Sequence, residues 1–230
     1  MKVIALVPAA GFGRRLGYRR AKPFISLVDK PVLAHTLTIL QQAKKINAII
    51  LIVDKKQLES AVRLVSCYRI NKVKAIVSGG RTRSGSVRNG LKAISEKTDF
   101  VLIHDAARPL LTVRLVNDCI EAALRYKAVV CALPCSATIK SVDKNNNVIM
   151  TLDRNRLWQI QTPQIFSYSL IKKAYGQRLM KEKYCFDDAS LVERLPHKVK
   201  VIPGLETNIK ITTPKDLQIA RAILKSKKRG

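Results

Sequence analysis

Short apolar runs rich in β-branched residues recur along this chain, with amphipathic stretches between several of them. That alternation limits the fold more than any other feature. The runs are Lys2–Val7, Ala48–Val53, Val73–Val77, Phe100–Ile103 and Ala128–Leu133, each the length of a buried strand. Val32, Leu33, Leu37 and Leu40 fall on one face of a helix. Leu115, Val116, Cys119, Ile120, Ala123 and Leu124 do the same further on, with Thr112 placed to cap that helix. Strands that alternate with helices predict an α/β fold: a mostly parallel sheet with helices on both faces. At 230 residues and 47% hydrophobic, residues 1–230 are expected to form a single domain.

Ligands of such sheets collect beyond the carboxyl ends of the strands, which directs attention to three loops. The first reads Pro8-Ala9-Ala10-Gly11-Phe12-Gly13-Arg14-Arg15, with Lys22 shortly after. Small residues and two glycines let backbone N–H groups approach an anion, so a polyphosphate is the expected ligand. It is neither of two familiar phosphate loops. The dinucleotide fingerprint needs a small residue where Leu16 stands, and the Gly-Lys-Ser/Thr of a P-loop occurs nowhere in the chain. The second loop, Ser78-Gly79-Gly80-Arg81-Thr82-Arg83-Ser84-Gly85-Ser86, leads into a helix through Val87, Leu91 and Ile94 and also suits an anion. The third is His104-Asp105-Ala106-Ala107-Arg108-Pro109. Its carboxylate could hold a divalent cation for phosphates, or equally cap a turn.

From Thr138 the pattern changes. Thr138–Asp143 and Asn147–Leu152 flank the turn composition Lys144-Asn145-Asn146, predicting a β-hairpin over 138–154 that protrudes from the sheet. Such an arm buries little alone and is expected to pack on a partner chain. A short helix is expected near Asp187-Asp188 and a strand over Asn208–Ile211. The last helix opens at Thr213-Pro214-Lys215-Asp216 with cap, proline and acid in order.

Composition narrows the function classes. Lys and Arg number 43 against 16 Asp and Glu, a net charge of +27 that attracts anions. The basic residues are spread out and aromatics make up only 5%, so no stacking platform for nucleic acid is evident and none is expected as a specific partner. No run is long enough to span a bilayer, and Met1-Lys2 leads directly into the first strand, so neither membrane association nor a signal peptide is expected. The five cysteines sit mostly in apolar runs, as reduced thiols of a cytoplasmic protein would.

Six segments, taken together, carry a resemblance. They are Pro-Ala-Ala-Gly-Phe-Gly-Arg-Arg with Lys22; Gly79-Gly80 with Arg83, Ser86 and Val87; His-Asp-Ala-Ala-Arg-Pro; Asp153-Arg154-Asn155 with Leu157-Trp158; Thr162-Pro163-Gln164; and Asn208-Ile-Lys210-Ile-Thr212. In this order the chain resembles the 2-C-methyl-D-erythritol 4-phosphate cytidylyltransferase family of the non-mevalonate isoprenoid pathway, from Val3 to about Leu224. The resemblance implies a Rossmann-like sheet of nucleotidyltransferase type, and transfer of a cytidylyl group from CTP to the sugar-alcohol phosphate with Mg2+. It assigns Arg15 and Lys22 to the transition state. Ala9, Ala10, Gly11, Gly13, Gly80 and Ser86 go to the nucleotide, and Asp105 to the metal. Arg154, Lys210, Thr138, Arg108 and Thr162 go to the sugar phosphate. It also makes the hairpin a dimerisation arm, which would carry Thr138 and Arg154 to the partner's site in a homodimer.

The residues are consistent with that chemistry. A phosphate nucleophile is already anionic and needs no general base. Bringing it against another phosphate needs fixed cations and alignment instead. His35, His104 and His197 are accordingly expected to be structural or surface residues. The chain departs from the family pattern at Ala21 and Pro23 around Lys22, at Phe186 and at Arg81. Two other functions are alternatives for such a chain: cytidylyl transfer to ribitol 5-phosphate on the same fold, and a basic nucleic-acid-binding protein.

Overall fold

The computed structural model describes residues 1–11, 21–95, 97–176 and 185–226. Element order is β1 (Val3–Pro8), β2 (Ser26–Leu27), β3 (Lys30–Pro31), α1 (Val32–Gln42), β4 (Ala48–Val53), α2 (Leu58–Cys67), β5 (Val73–Ser78), α3 (Arg83–Lys92), β6 (Phe100–Ile103), α4 (Val113–Tyr126) and β7 (Ala128–Pro134). Then follow β8 (Ile139–Val142), β9 (Val148–Leu152), β10 (Trp158–Ser167), α5 (Tyr168–Gly176), α6 (Ala189–Val192), β11 (Lys200–Pro203) and α7 (Pro214–Ser226).

Seven strands form the central sheet in the order β11-β7-β10-β6-β1-β4-β5. The β1–β4, β1–β6, β4–β5 and β7–β11 pairs are parallel, while β10 runs antiparallel to both β6 and β7. The expected mostly parallel sheet is therefore present, with one reversed strand near its middle. Period-2 alternation explains the two layers. Val3, Ala5 and Val7 of β1 pack with Leu33, Leu37 and Leu40 of α1 and Val116 and Ile120 of α4. Ile4 and Leu6 face the other way, onto Val87 and Leu91 of α3 and Ile171 of α5. A third cluster, including Ile25, Leu27, Ile211 and Leu217, docks α7.

The caps behave as their residue types require. Thr112 Oγ1 accepts from Leu115 N at 3.1 Å to start α4. Asp216 accepts from the N–H groups of Thr212 and Thr213 at 2.8 Å each, while Thr213 Oγ1 accepts from Asp216 N at 3.3 Å. Some burial would raise the Asp216 carboxyl, but these bonds outweigh it and hold it near 2.

One sequence expectation needs correction. Asn208–Ile211 is not a strand: Ile211 N meets Ala107 O at 2.8 Å, but no ladder forms. The Asn208 side chain is buried and bonds Thr162 O at 2.8 Å, so side-chain bonding replaces pairing there. The strands at the carboxyl side of the sheet are β10 and β11, which the apolar pattern does not announce. The arm is present as β8–β9, and its turn is an Asx motif in which Asp143 Oδ1 accepts from Asn145 N and Asn147 N at 2.9 and 2.8 Å. No helix among the described residues is long and apolar enough to cross a membrane. All five cysteines are free; Cys119, Cys131 and Cys135 are buried and Cys67 is exposed.

Candidate active site

A cleft of about 800 Å³ opens beyond the carboxyl ends of β1, β4, β5 and β6, where an open parallel sheet presents its loops. Ala9, Ala10 and Gly11 form one wall, and Gly79, Gly80 and the start of α3 another. The two walls approach so closely that a side chain at Gly79 would overlap the Ala10 Cβ and lie 2.9 Å from Ser86 Oγ. Ser86 Oγ in turn accepts from Gly80 N at 3.0 Å and donates to Thr82 O at 2.9 Å, pinning the glycine loop. Thr82 caps α3 through Gly85 N at 2.9 Å, so the positive end of that helix opens on the cleft.

The lining carries Lys22, Arg81, Arg83 and Lys210 against Asp54 and Asp105. A basic surplus facing a concave site suits a polyanion. Pro23 after Lys22 does not disturb the backbone: it occupies the opening of a 3-10 turn over Lys22–Phe24, where a fixed φ and a missing N–H cost little. Lys22 remains on the cleft.

Asp105 is the electrostatic centre. Its Oδ1 accepts from Arg83 Nε at 2.9 Å and its Oδ2 meets Lys210 Nζ at 2.6 Å. Burial would raise this carboxyl, but attraction to Arg83 and Lys210 outweighs it and holds Asp105 well below the usual carboxylate range. Arg83 also reaches Asp188 Oδ2 with Nη2 at 2.8 Å, an ion-pair contact. The Arg83, Asp54 and Asp188 contributions escape a reading of the sequence. Asp188 belongs to a different loop, and no spacing rule links it to Arg83.

Behind Asp105 runs a buried relay. Asp105 N donates to Thr162 Oγ1 at 3.1 Å, and that hydroxyl also meets His104 Nδ1 at 3.1 Å. His104 Nε2 lies 3.1 Å from Arg108 O. One proton arrangement satisfies all three contacts: Thr162 donates to Nδ1, and Nε2–H donates to the carbonyl. Burial pushes the His104 pKa down to about 4, against the opposing effect of the Arg108 carbonyl, so the ring is neutral near pH 7. His104 is thus structural, as expected.

A family model described as 2-C-methyl-D-erythritol 4-phosphate cytidylyltransferase matches residues 3–226. The chain belongs to that family. A cytidylyltransferase of this name from Syntrophus aciditrophicus is 44% identical over 225 residues, 97% of this chain and 96% of the relative. Another from Alkaliphilus oremlandii is 43% identical over 230 residues, 100% of this chain and 98% of its own length. The crystal structure of a 4-diphosphocytidyl-2C-methyl-D-erythritol synthase from Anaerococcus prevotii superposes with a TM-score of 0.85 at 34% identity, covering 97% and 96% of the two chains.

Not all residues that the family resemblance implicates meet in one cleft. Ala9, Ala10, Gly11, Lys22, Gly80, Ser86, Asp105 and Lys210 do. Gly13 and Arg15 lie outside the described residues. Arg108 and Thr162 are buried behind the cleft instead of lining it. Arg108 Nη1 donates to Asn208 O at 2.7 Å, and Nη2 lies 3.5 Å from Ile160 O, so the guanidinium ties the Asn208 loop to β10. Thr138 and Arg154 are exposed at the base of the arm and do not line the cleft of their own chain. Arg154 Nη1 donates to Ser136 O at 3.2 Å. Of the departures from the family pattern, Arg81 lines the cleft and Phe186 is 86% exposed.

Proposed function

We propose that this chain transfers the cytidylyl group of CTP to 2-C-methyl-D-erythritol 4-phosphate, giving the CDP-alcohol and pyrophosphate for isoprenoid synthesis. One observation carries the reading beyond family membership. Asp105 and Lys210 are paired at 2.6 Å in a cleft whose lining also includes Lys22 and the small-residue loop. A phosphate oxygen of the alcohol attacks the α-phosphorus of CTP, and the bond from that phosphorus to the bridging oxygen of pyrophosphate breaks. The barrier lies in charge repulsion and alignment, which fixed cations and backbone N–H groups lower.

Lys22, with Arg15, is assigned to the charge that develops at the α-phosphate. A compact ammonium suits that position. Ala9 to Gly11, Gly13 and Gly80 are assigned to CTP through backbone groups, with Ser86 shaping the glycine loop. Lys210 is assigned to the incoming phosphate, and Arg108 and Thr162 act from behind by holding Asn208 and Asp105 in place.

The residues fit Mg2+. Among the described residues each Asp105 oxygen has one partner and so keeps a second lone pair, and Asp54 lines the same cleft. One carboxylate with substrate phosphates and waters is a common magnesium set, so Asp105 would hold the ion, which would neutralise charge on the triphosphate.

One observation supports a homodimer through the 138–154 arm. Val142, Val148, Ile149 and Met150 are roughly half exposed or more on the hairpin, so apolar side chains cluster there that a partner chain would cover. Such a contact would let Thr138 and Arg154 complete a partner's cleft. Free cysteines are consistent with a cytoplasmic enzyme. Phosphorus NMR on the protein mixed with CTP, Mg2+ and the methylerythritol phosphate tests the reaction. Equal growth of the CDP-alcohol diphosphate and pyrophosphate signals is expected; no CDP-alcohol signal refutes it.

A further inference from the structure

We propose that Arg83 is a positioning residue of this reaction, pinned from behind by the buried Asp188 so that it holds Asp105 in the cleft. The inference rests on the reading of Asp105 as the metal carboxylate. Its starting point is geometric. One guanidinium bridges two acids on different loops, Asp105 through Nε and Asp188 through Nη2.

Asp188 has no access to water, with a side-chain exposure of 0%. Its Oδ1 accepts from the Tyr175 hydroxyl at 2.5 Å. The N–H groups of Asp188 and Ala189 both donate to Gln164 Oε1, at 3.2 and 3.1 Å, while Gln164 Nε2 donates to Asp187 Oδ2 at 2.7 Å. Gln164 belongs to β10, which pairs with β6 at Ile103 and also supplies Thr162 to the Asp105 N–H. The one strand β10 therefore fixes Asp105 twice: at its backbone through Thr162, and at its carboxylate through Gln164, Asp188 and Arg83 in sequence.

A buried ion pair adds little net stability compared with apolar packing of the same volume. What it does add is orientation, and a planar fork held at two edges loses its rotamer freedom. The four groups Asp105, Asp188, Arg83 and Lys210 sum to zero charge, so Asp105 is held ionised without a net field of its own. Lysine in place of Arg83 would keep the charge, but its single nitrogen cannot span both acids. Charge and geometry can therefore be separated experimentally.

The test compares Arg83→Lys, Asp188→Asn, the double variant and Asp105→Asn, measuring turnover against Mg2+ concentration. Calorimetric CTP binding with and without Mg2+ gives a second readout. Arg83→Lys and Asp188→Asn are each expected to raise the half-saturating Mg2+ concentration about 10- to 100-fold, the range for partners of a metal ligand. Both should also lose the Mg2+ enhancement of CTP binding. The double variant should be no worse than the poorer single one, because both break the same link. Wild-type Mg2+ dependence in both single variants, additive losses, or unfolding of both would overturn the proposal; if only one unfolds, the other decides. Failure of the underlying reading looks different: Asp105→Asn would then keep the wild-type Mg2+ dependence, or the wild type would form no product.

Discussion

Replacing Thr162 by valine removes one hydroxyl and leaves the shape of the side chain nearly unchanged. In the structure that hydroxyl serves two buried groups, accepting from Asp105 N and meeting His104 Nδ1, each at 3.1 Å. Valine satisfies neither. Leaving a buried polar group without a partner costs about 1–3 kcal/mol, so two such groups cost about 2–6 kcal/mol. Unfolding entropy for 230 residues is roughly 0.5 kcal/mol per degree, so the melting temperature should fall by about 4–12 °C. Scanning calorimetry at fixed protein concentration and pH 7.5 measures this directly. Thr162→Ser keeps the hydroxyl and should lose markedly less. A fall below about 1 °C in the valine variant would refute the relay, since even one orphaned group exceeds it.

Lys22→Ala should lower kcat on the order of 100-fold or more, as for a lost transition-state contact; near-normal kcat in a steady-state assay would remove Lys22 from that role. Arg154→Ala should raise KM for the alcohol phosphate more than KM for CTP, and deleting residues 143–147 at the arm tip should weaken the dimer seen by sedimentation. Acid should destabilise the fold through His104, whose pKa falls from 6.5 to about 4 on burial. Keeping this ring neutral contributes stability that is complete above pH 6.5 and lost as pH falls towards 4. The effect is about 3 kcal/mol in all, and urea titrations of His104→Gln should show a flatter slope across that window.

Local signals made the first half of the sheet legible. Runs such as Ala48–Val53 are buried along their whole length, so composition alone marks them as strands. β10 resists that reading because Gln159, Gln161 and Gln164 interrupt it, and the amides of Gln161 and Gln164 are recruited by loops distant in sequence. Asn208–Ile211 misleads for the converse reason: it alternates like a strand, but Asn208 is held from its side chain. The cleft walls could be read because small residues at strand ends have few other uses. Lys210 and Asp105 could be named, but their contact could not. Nor could the role of Arg83, which depends on Asp188 and on a strand that reverses direction.

The most direct test sets two acceptors against each other. Initial rates of pyrophosphate release from CTP and Mg2+ would be measured with 2-C-methyl-D-erythritol 4-phosphate and with ribitol 5-phosphate, each over a full concentration range. A kcat/KM at least on the order of 100-fold higher for the methylerythritol phosphate is expected, because alignment of the correct acceptor governs the barrier. Equal values, or faster release with ribitol 5-phosphate, would contradict the assignment.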